Sequence, residues 1–531
     1  MKSKPEPRPG AEVSRRKFLT GIGAGAASAA ALGAVGAAGG VGIDIAGHAA
    51  AYGATASSSP LFFGRIFPQL PPFAQPSDAL TAALRDIGKP GGYLDAKDDL
   101  AAGPVLLITD PSKSVNNPDN PTHTAGTTFM GQFMDHDVTF DATSKLGTPT
   151  EPTTSRNSRT PVFDLDAMYG GGPSVSPQLY QSNRIKLLIG STPDGTHEDL
   201  PRNPDNSAII SDRRNDENMM IAGIHSAFIL AHNNTVDLLK SQHVPTSEQF
   251  ARARQLLTWH YHWLILHEFL PLFVGQAMVN TVLSQGRRFY LPPNGAAFMP
   301  VEFQGASYRF GHSMVRPSYR ANFHGNNGGP FFGLVFDAAA ESSNPSDPPD
   351  LVGGGHANRR FIGWPTFFDF SDGNVKRNKR IDRHISTPLF NLPLGAIATH
   401  DQPTVLPQRN LLRQVTWSMP SGQSIAEVMG VDRLSPSDLN ELSSYGLGLQ
   451  KSTPLWYYTL AEADVMAQGL NLGPVGGRVV AEVILGLLQT DPNSYLSSNP
   501  SWVPTLPAKY SGSGQFRMID LLGFAGVDGV R

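Results

Sequence analysis

The sequence has no cysteine in 531 residues. That excludes disulfides, zinc–thiolate centres and thiol nucleophiles, so any stapling must come from a metal, a cofactor or packing. Charge is sparse too: 16% of residues are charged and the formal net charge is -3. Neither the basic excess of a nucleic-acid binder nor the charge runs of a coiled coil are present. There is no internal repeat and no convincing run of strands, and beyond the N-terminal region no stretch is long and apolar enough to span a bilayer. What is there is 40% hydrophobic residues, enough for a substantial core, with 54 glycines and 44 prolines. This balance predicts a mainly α fold with long irregular loops and little β.

Residues 1–55 read as a leader and link. Ser14-Arg15-Arg16-Lys17-Phe18-Leu19 precedes a Gly/Ala-rich apolar run to Gly47, the pattern of a twin-arginine export signal, and Ala49 to Ala51 offers an Ala-x-Ala cleavage site. The alternative is a transmembrane anchor, which would be richer in leucine. The expectation is an exported chain, periplasmic or extracellular, with residues 56–531 forming a single domain.

The stretch from Phe129 to Phe140 organises the rest. If its first part is helical, Gln132, Asp135 and His136 share one face, while Asp137 points about 100° further round and can serve something on the other side. Asp135-His136-Asp137 alone also fits a solvated helix end, but apolar residues on both sides argue for burial, and a buried histidine between carboxylates needs partners. Before it, Leu61 to Ala74 is an aromatic arm broken by proline, Pro76 to Gly88 a short helix capped by Ser77, and Asp110 to Pro121 a loop. After it, Thr160, Asp164 and Asp166 alternate in a turn-rich segment ending at Tyr169, the way a short loop wraps a hard cation, though a solvated turn fits as well. Ser211 to Asn218 opens a buried helix over Met219 to Leu239, with Arg214 and Glu217 sharing a face near its start. A second helix, Ser247 to Val274, carries His260, His262 and His267 as core or surface histidines, since His260 and His262 face different sides. Within Pro300 to Arg320, Ala306 to Ser313 reads as an apolar helical segment containing His312, and Ala338 to Arg360 as a long irregular connection. Helices are expected from Leu406, after the Pro420 to Gln423 cap, over Trp456 to Met466, and over Gly473 to Leu488.

In this order the segments resemble the animal-type haem peroxidases of the peroxidase-cyclooxygenase superfamily, in particular bacterial members, over most of residues 56–531. Gly131-Gln132 through Asp137 is similar to the distal-histidine motif and Thr160 to Tyr169 to the calcium loop. Arg214-Asn215-Asp216-Glu217-Asn218 resembles the distal arginine segment, Arg309-Phe310-Gly311-His312 the proximal-histidine segment, and Asn410-Leu411-Leu412-Arg413 the segment holding its hydrogen-bond partner. Met130, Asn218 and Leu230 depart from mammalian members, which leaves the basic peroxidase set complete while removing the basis for a sulfonium link.

The resemblance implies a single haem peroxidase catalytic domain with haem b. His312 would be the proximal iron ligand, oriented by Asn410 accepting its other N–H, with Arg413 on the cofactor side. His136 would move the proton of hydrogen peroxide, Arg214 would stabilise the charge as the O–O bond breaks, and Gln132 would hold distal water or halide. The ferryl product would then oxidise an organic donor, halide or pseudohalide. Carboxylates matching Asp135 and Glu217 form haem esters in relatives, and Asp137, Thr160, the Val162 carbonyl, Asp164 and Asp166 would enclose calcium. Two other readings are a fatty-acid dioxygenase of the same superfamily, using Tyr261 or Tyr308, and a non-catalytic haem-binding or adhesion module.

Overall fold

The arm from Leu61 to Ala74 packs as irregular chain, as its prolines dictate. Phe63, Ile66, Phe67 and Phe73 are buried, Phe63–Gly64 pairs in parallel with Met299–Pro300, and the backbone N–H groups of Ile66 and Phe67 donate to the Glu302 carboxylate at 3.0 and 3.1 Å. This computed structural model describes residues 61–340 and 344–531, all within the unit His48–Arg531; the leader read over residues 1–55 lies outside the described residues. Helix α1 (Asp78–Ile87) follows, with the Ser77 side chain accepting from the Leu80 N–H.

Helix α2 (Ala125–Val138) begins four residues before Phe129 and contains the organising stretch as far as Val138. It is buried along its length except at Gln132 and Asp135, which are half-buried. Helix α3 (Met219–Ser241) packs against it, with Phe228 stacked on Phe133 at 4.8 Å between ring centroids. The next rod runs as α4 (Thr246–Leu264), a π turn at Ile265–Phe269 and a last turn at Leu270–Val274. The wider turn lets the helix pass Pro271, whose missing N–H and ring bulk disfavour regular α geometry. His260 and His262 are buried core histidines: His260 Nε2 accepts from the Thr505 and Leu506 N–H groups at 3.0 Å, and His262 Nε2 lies 2.6 Å from the Phe163 carbonyl.

The segment Ala306 to Ser313 is helical as expected, a 3₁₀ turn at Ser307–Phe310 running into a single turn, α5 (Gly311–Met314), after a separate turn at Val301–Gln304. Two stretches carry strands that were not expected. Strand β1 (Ser318–Asn326) then pairs antiparallel with β2 (Gly329–Leu334). The turn between them is Asn327-Gly328, both at positive φ (50° and 84°), an Asn-Gly hairpin signature that outweighed the absence of strict alternation. The loop read over Asp110 to Pro121 likewise ends in a short strand, Asp119–Thr124, paired with Arg377–Lys379.

The C-terminal part follows the expected order: α6 (Leu406–Thr416), α7 (Leu455–Ala467) and the buried α8 (Pro474–Thr490). Among the described residues strands occur as two-stranded pairs and helix predominates, so the fold is mainly α. No helix among them is long and apolar enough to cross a membrane.

Candidate functional site

A cavity opens between α2 and α5, and His136 and His312 both line it. Phe129, Phe269, Phe310, Leu389 and Ile397 give it apolar walls. On the α2 side Gln132, Asp135 and His136 share a face, as the spacing requires. Arg214 and Glu217 reach the same cavity, but not from the helix: Arg213–Asp216 is a 3₁₀ turn, Glu217 follows it, and α3 starts only at Met219 behind the capping side chain of Asn218.

Arg214 pairs not with Glu217 but with a carboxylate two residues upstream. Asp212 accepts from the Arg214 backbone N–H at 3.0 Å and from Arg214 Nη2 at 2.7 Å, and its second cation is Arg159 at 2.6 Å. The Arg214 guanidinium also lies 4.4 Å above the Phe140 ring and donates to the His136 carbonyl at 3.1 Å. Burial would push the Asp212 carboxyl up, but the charge and hydrogen bonds of Arg214, with Arg159, hold it well below the usual carboxylate range. Glu217 accepts instead from Gln132 Nε2 at 3.1 Å, and Asn218 Nδ2 donates to Gln132 Oε1 at 3.2 Å, which fixes that amide. Burial raises Glu217 to about 8 and raises Asp135 against the attraction of Arg214 and Arg309. His136 moves the other way, to about 3, because burial and then the Arg214 charge disfavour imidazolium.

Across the cavity, His312 Nδ1 lies 2.8 Å from Asn410 Nδ2. The sense is opposite to expectation: the amide nitrogen faces the ring, because Arg309 Nη1 takes the amide oxygen at 3.4 Å. Burial, then the Arg309 charge, hold His312 neutral, at about 3. Three arginines edge this side. Arg413 pairs with Asp141 at 2.5 Å and Arg409 with Asp401 at 2.8 Å, whereas Arg309 has no carboxylate ion pair among the described residues. Burial and the Arg413 charge bring Arg309 down to about 10.

On the far side of α2, Asp137, Asp164 and Asp166 each place an oxygen within 4.8 Å of the others. Asp137 also accepts from the Leu165 N–H at 3.1 Å, and Leu165 turns the loop at φ 59°. Thr160 and Val162 lie in that loop, where their carbonyls accept from the Val162 and Asp164 N–H groups at 2.8 and 3.0 Å. The structure therefore brings the three carboxylates together and leaves Thr160 and Val162 one free carbonyl lone pair each. Arg159 and Arg254 reach Asp166 and Asp164 at 3.2 and 3.3 Å. Of the two tyrosines considered for radical chemistry, Tyr308 lines the cavity and donates to the Gly131 carbonyl at 3.1 Å, whereas Tyr261 is buried among Phe133, Phe163 and Phe228 away from it.

Sequence reasoning assigned no role to Asp212, Arg309 or Arg409. Each lies within four residues of a residue it did single out, which was the available signal.

The animal haem peroxidase family model matches residues 142–331, less than half of the chain, spanning the acidic loop, Arg214, Glu217 and His312 but beginning after His136. A chorion peroxidase of Aedes aegypti is 27% identical over 179 residues, 30% of this chain and 22% of that one. A peroxidasin homologue of Caenorhabditis elegans is 24% identical over 183 residues, 30% of this chain and 14% of that one. The matched segment thus spans less than a quarter of either relative. Among solved structures, peroxidase A of Dictyostelium discoideum superposes with a TM-score of 0.55 at 17% identity, covering 82% of this chain and 88% of its own. A fatty acid alpha-dioxygenase of Oryza sativa gives 0.57 at 14%, covering 89% and 80%. The family model and the relatives support an animal haem peroxidase family assignment, and the structures show the shared fold.

Proposed function

We propose that the chain is a haem peroxidase that reduces hydrogen peroxide and oxidises a small donor, organic or halide/pseudohalide. The observation that supports this most is the facing pair of histidines: His136 and His312 line one apolar cavity, each bonded through Nδ1, and neither Nε2 has a hydrogen-bond partner among the described residues. The residues fit haem b. A half-buried arginine without a carboxylate ion pair among the described residues, Arg309 at the cavity edge, suits a cofactor that carries carboxylates, with Arg409 and Arg413 beside it. Ligation through His312 Nε2 asks for Asn410 turned over, its oxygen on Nδ1–H, and a cofactor carboxylate would then take the Arg309 N–H that the amide oxygen holds here.

Haem would supply the redox-active iron. The chain's own residues supply the proton work. Neutral His136 accepts a proton from one peroxide oxygen at Nε2 and delivers it to the departing oxygen, a role worth about 10² to 10⁴ in rate. Arg214, immobilised by Asp212, offers fixed positive charge as the O–O bond lengthens. Gln132, clamped by Glu217 and Asn218, holds a small polar molecule next to His136. Two electrons from donor molecules and two protons complete the conversion of hydrogen peroxide to two waters. A dioxygenase needs a tyrosine between cofactor and lipid channel, and the hydroxyl of Tyr308 is engaged by Gly131; a non-catalytic module has no use for the His136 and Arg214 arrangement.

His312→Ala should abolish the Soret band and activity together, whereas His136→Ala should keep the band and slow the reaction with peroxide by at least a hundredfold. Stopped-flow spectra decide, and an unchanged rate in His136→Ala rejects its role. Asp135 and Glu217, whose carboxyls burial raises at the cavity, Glu217 to about 8, are proposed as ester-forming carboxyls. After peroxide treatment, mass spectrometry of tryptic peptides should find haem attached to both, and quantitative extraction of free haem by acid and organic solvent excludes it. Export rests on Ser14 to Leu19: replacing Arg15 and Arg16 by lysine should retain the protein in the cytoplasm, and continued export in fractionated cells would rule out the twin-arginine route.

Calcium is proposed at Asp137, Asp164 and Asp166, with Thr160 and the Val162 carbonyl completing an oxygen shell. Burial and the mutual repulsion of these acids raise Asp137 well above its ordinary value and Asp166 to about 7. In metal-free protein the unfolded chain ionises from about pH 4 while folded Asp166 stays protonated to about 7, so stability is lost as pH rises through that window. Melting temperature of chelated protein should therefore fall from pH 4 to pH 7, and calcium should restore it at pH 7 in wild type but not in Asp137→Ala. A calcium-independent melting temperature withdraws the site.

A further inference from the structure

Behind His136 lies a second buried imidazole for which the mechanism above has no use. His225, in the first two turns of α3, is 1% exposed, and Asn215 between the two rings is 0% exposed. Asn215 Oδ1 is 2.8 Å from His136 Nδ1, and Asn215 Nδ2 is 2.9 Å from His225 Nδ1. An amide oxygen only accepts and an amide nitrogen only donates. In this arrangement His136 therefore carries its proton on Nδ1, and Nε2, the atom without a partner, is a bare base. The reversed amide would be equally saturated: His225 Nδ1–H would donate to Oδ1, and Nδ2 would donate to His136 Nδ1. That state puts the His136 proton on Nε2, where it can take nothing from peroxide.

The amide's two ends are each bonded to one of these histidines, so the far ring settles which way it points. We infer that His225, acting through Asn215, is a positioning residue that holds His136 in the Nδ1–H tautomer and so keeps its Nε2 basic. The inference rests on the peroxidase reading for its consequence in rate, but not for the tautomer itself. Burial keeps His225 neutral, at about 4, with Asp212 and Arg159 as the charged groups acting on it in opposite directions. A neutral ring keeps one bare nitrogen, and with the Asn215 Nδ2 group 2.9 Å from it, Nδ1 is the one that accepts in this arrangement. The Phe133 ring, edge-on at 6.1 Å, packs beside it.

His225→Phe fills similar space and removes the acceptor, so either end of the amide can face His136. The rate with peroxide should fall about tenfold, the equivalent of one hydrogen bond, with an intact Soret band. Asn215→Asp supplies a carboxylate that accepts from His136 Nδ1–H at either end, so in that background His225→Phe should change the rate less than twofold. An equal fall in both backgrounds marks His225 as packing only and overturns the inference, as does no fall in either. A second readout needs no turnover. In ¹⁵N-histidine spectra of the diamagnetic ferrous carbon-monoxide form, the signal lost in His136→Ala should report the Nδ1–H tautomer in wild type and a mixture in His225→Phe. A wild-type signal of the Nε2–H form overturns the proposal. Should His225→Phe fail to bind haem, His225→Gln, whose carbonyl can accept from the amide, should keep at least half the rate; a tenfold loss there also overturns it. Wild-type protein that binds haem but ignores peroxide would defeat the functional reading instead, and the tautomer would still be decided by the spectra.

Discussion

The site depends on the clasp of Asp212 around Arg214 and Arg159. A single carboxylate, 3% exposed, fixes the guanidinium beside the His136 carbonyl with one oxygen pair and reaches, through Arg159, to Asp166 in the acidic loop. Three separately encoded segments are thereby held in one geometry. Removing one partner of such a buried pair costs about 3–5 kcal/mol, because the cations left behind have nowhere to be hydrated. That is a large part of the stability of an ordinary domain, so geometry and folding are secured by the same contact.

Helix α2 carries the division of labour. Adjacent residues on a helix diverge by about 100°, so His136 belongs to the cavity while Asp137 belongs to the acidic loop. This was legible from the sequence because it needs only a local period. So was the capped helix at Ser77, since capping and an apolar stripe are likewise local, whereas the α4 histidines read equally as core or surface. Arg214 lines the cavity, but from a 3₁₀ turn and not from the helix expected there: nothing in Ser211 to Asn218 distinguishes a helix start from a 3₁₀ turn whose capping carboxylate competes for the same guanidinium. Illegible altogether were contacts that exist only after folding. Asn215 meets His225 ten residues on, and Arg309 takes the Asn410 oxygen across 101 residues. Whether Asn410 donates or accepts is fixed by that third residue, so pairwise motif matching could name the partners but not the sense of the bond.

Burial sets the chemistry as much as residue identity does. The same desolvation holds His136 and His312 neutral and raises Asp135 and Glu217, the latter to about 8, which reduces the charge that acids and bases in a small volume must hydrate. On the opposite face of α2 it works against the fold, crowding three carboxylates beside Arg159 and Arg254.

The clamp of the N-terminal arm has a consequence for how the molecule is made. Ile66 and Phe67 leave the ribosome early, yet the carboxylate that receives their N–H groups belongs to Glu302, 236 and 235 residues further along. Ten residues after Glu302 comes His312. The arm therefore has no docking site until the proximal wall of the cavity is itself being synthesised, and closing so long a loop is entropically slow. Docking of the arm is thereby tied to completion of the segment that carries His312.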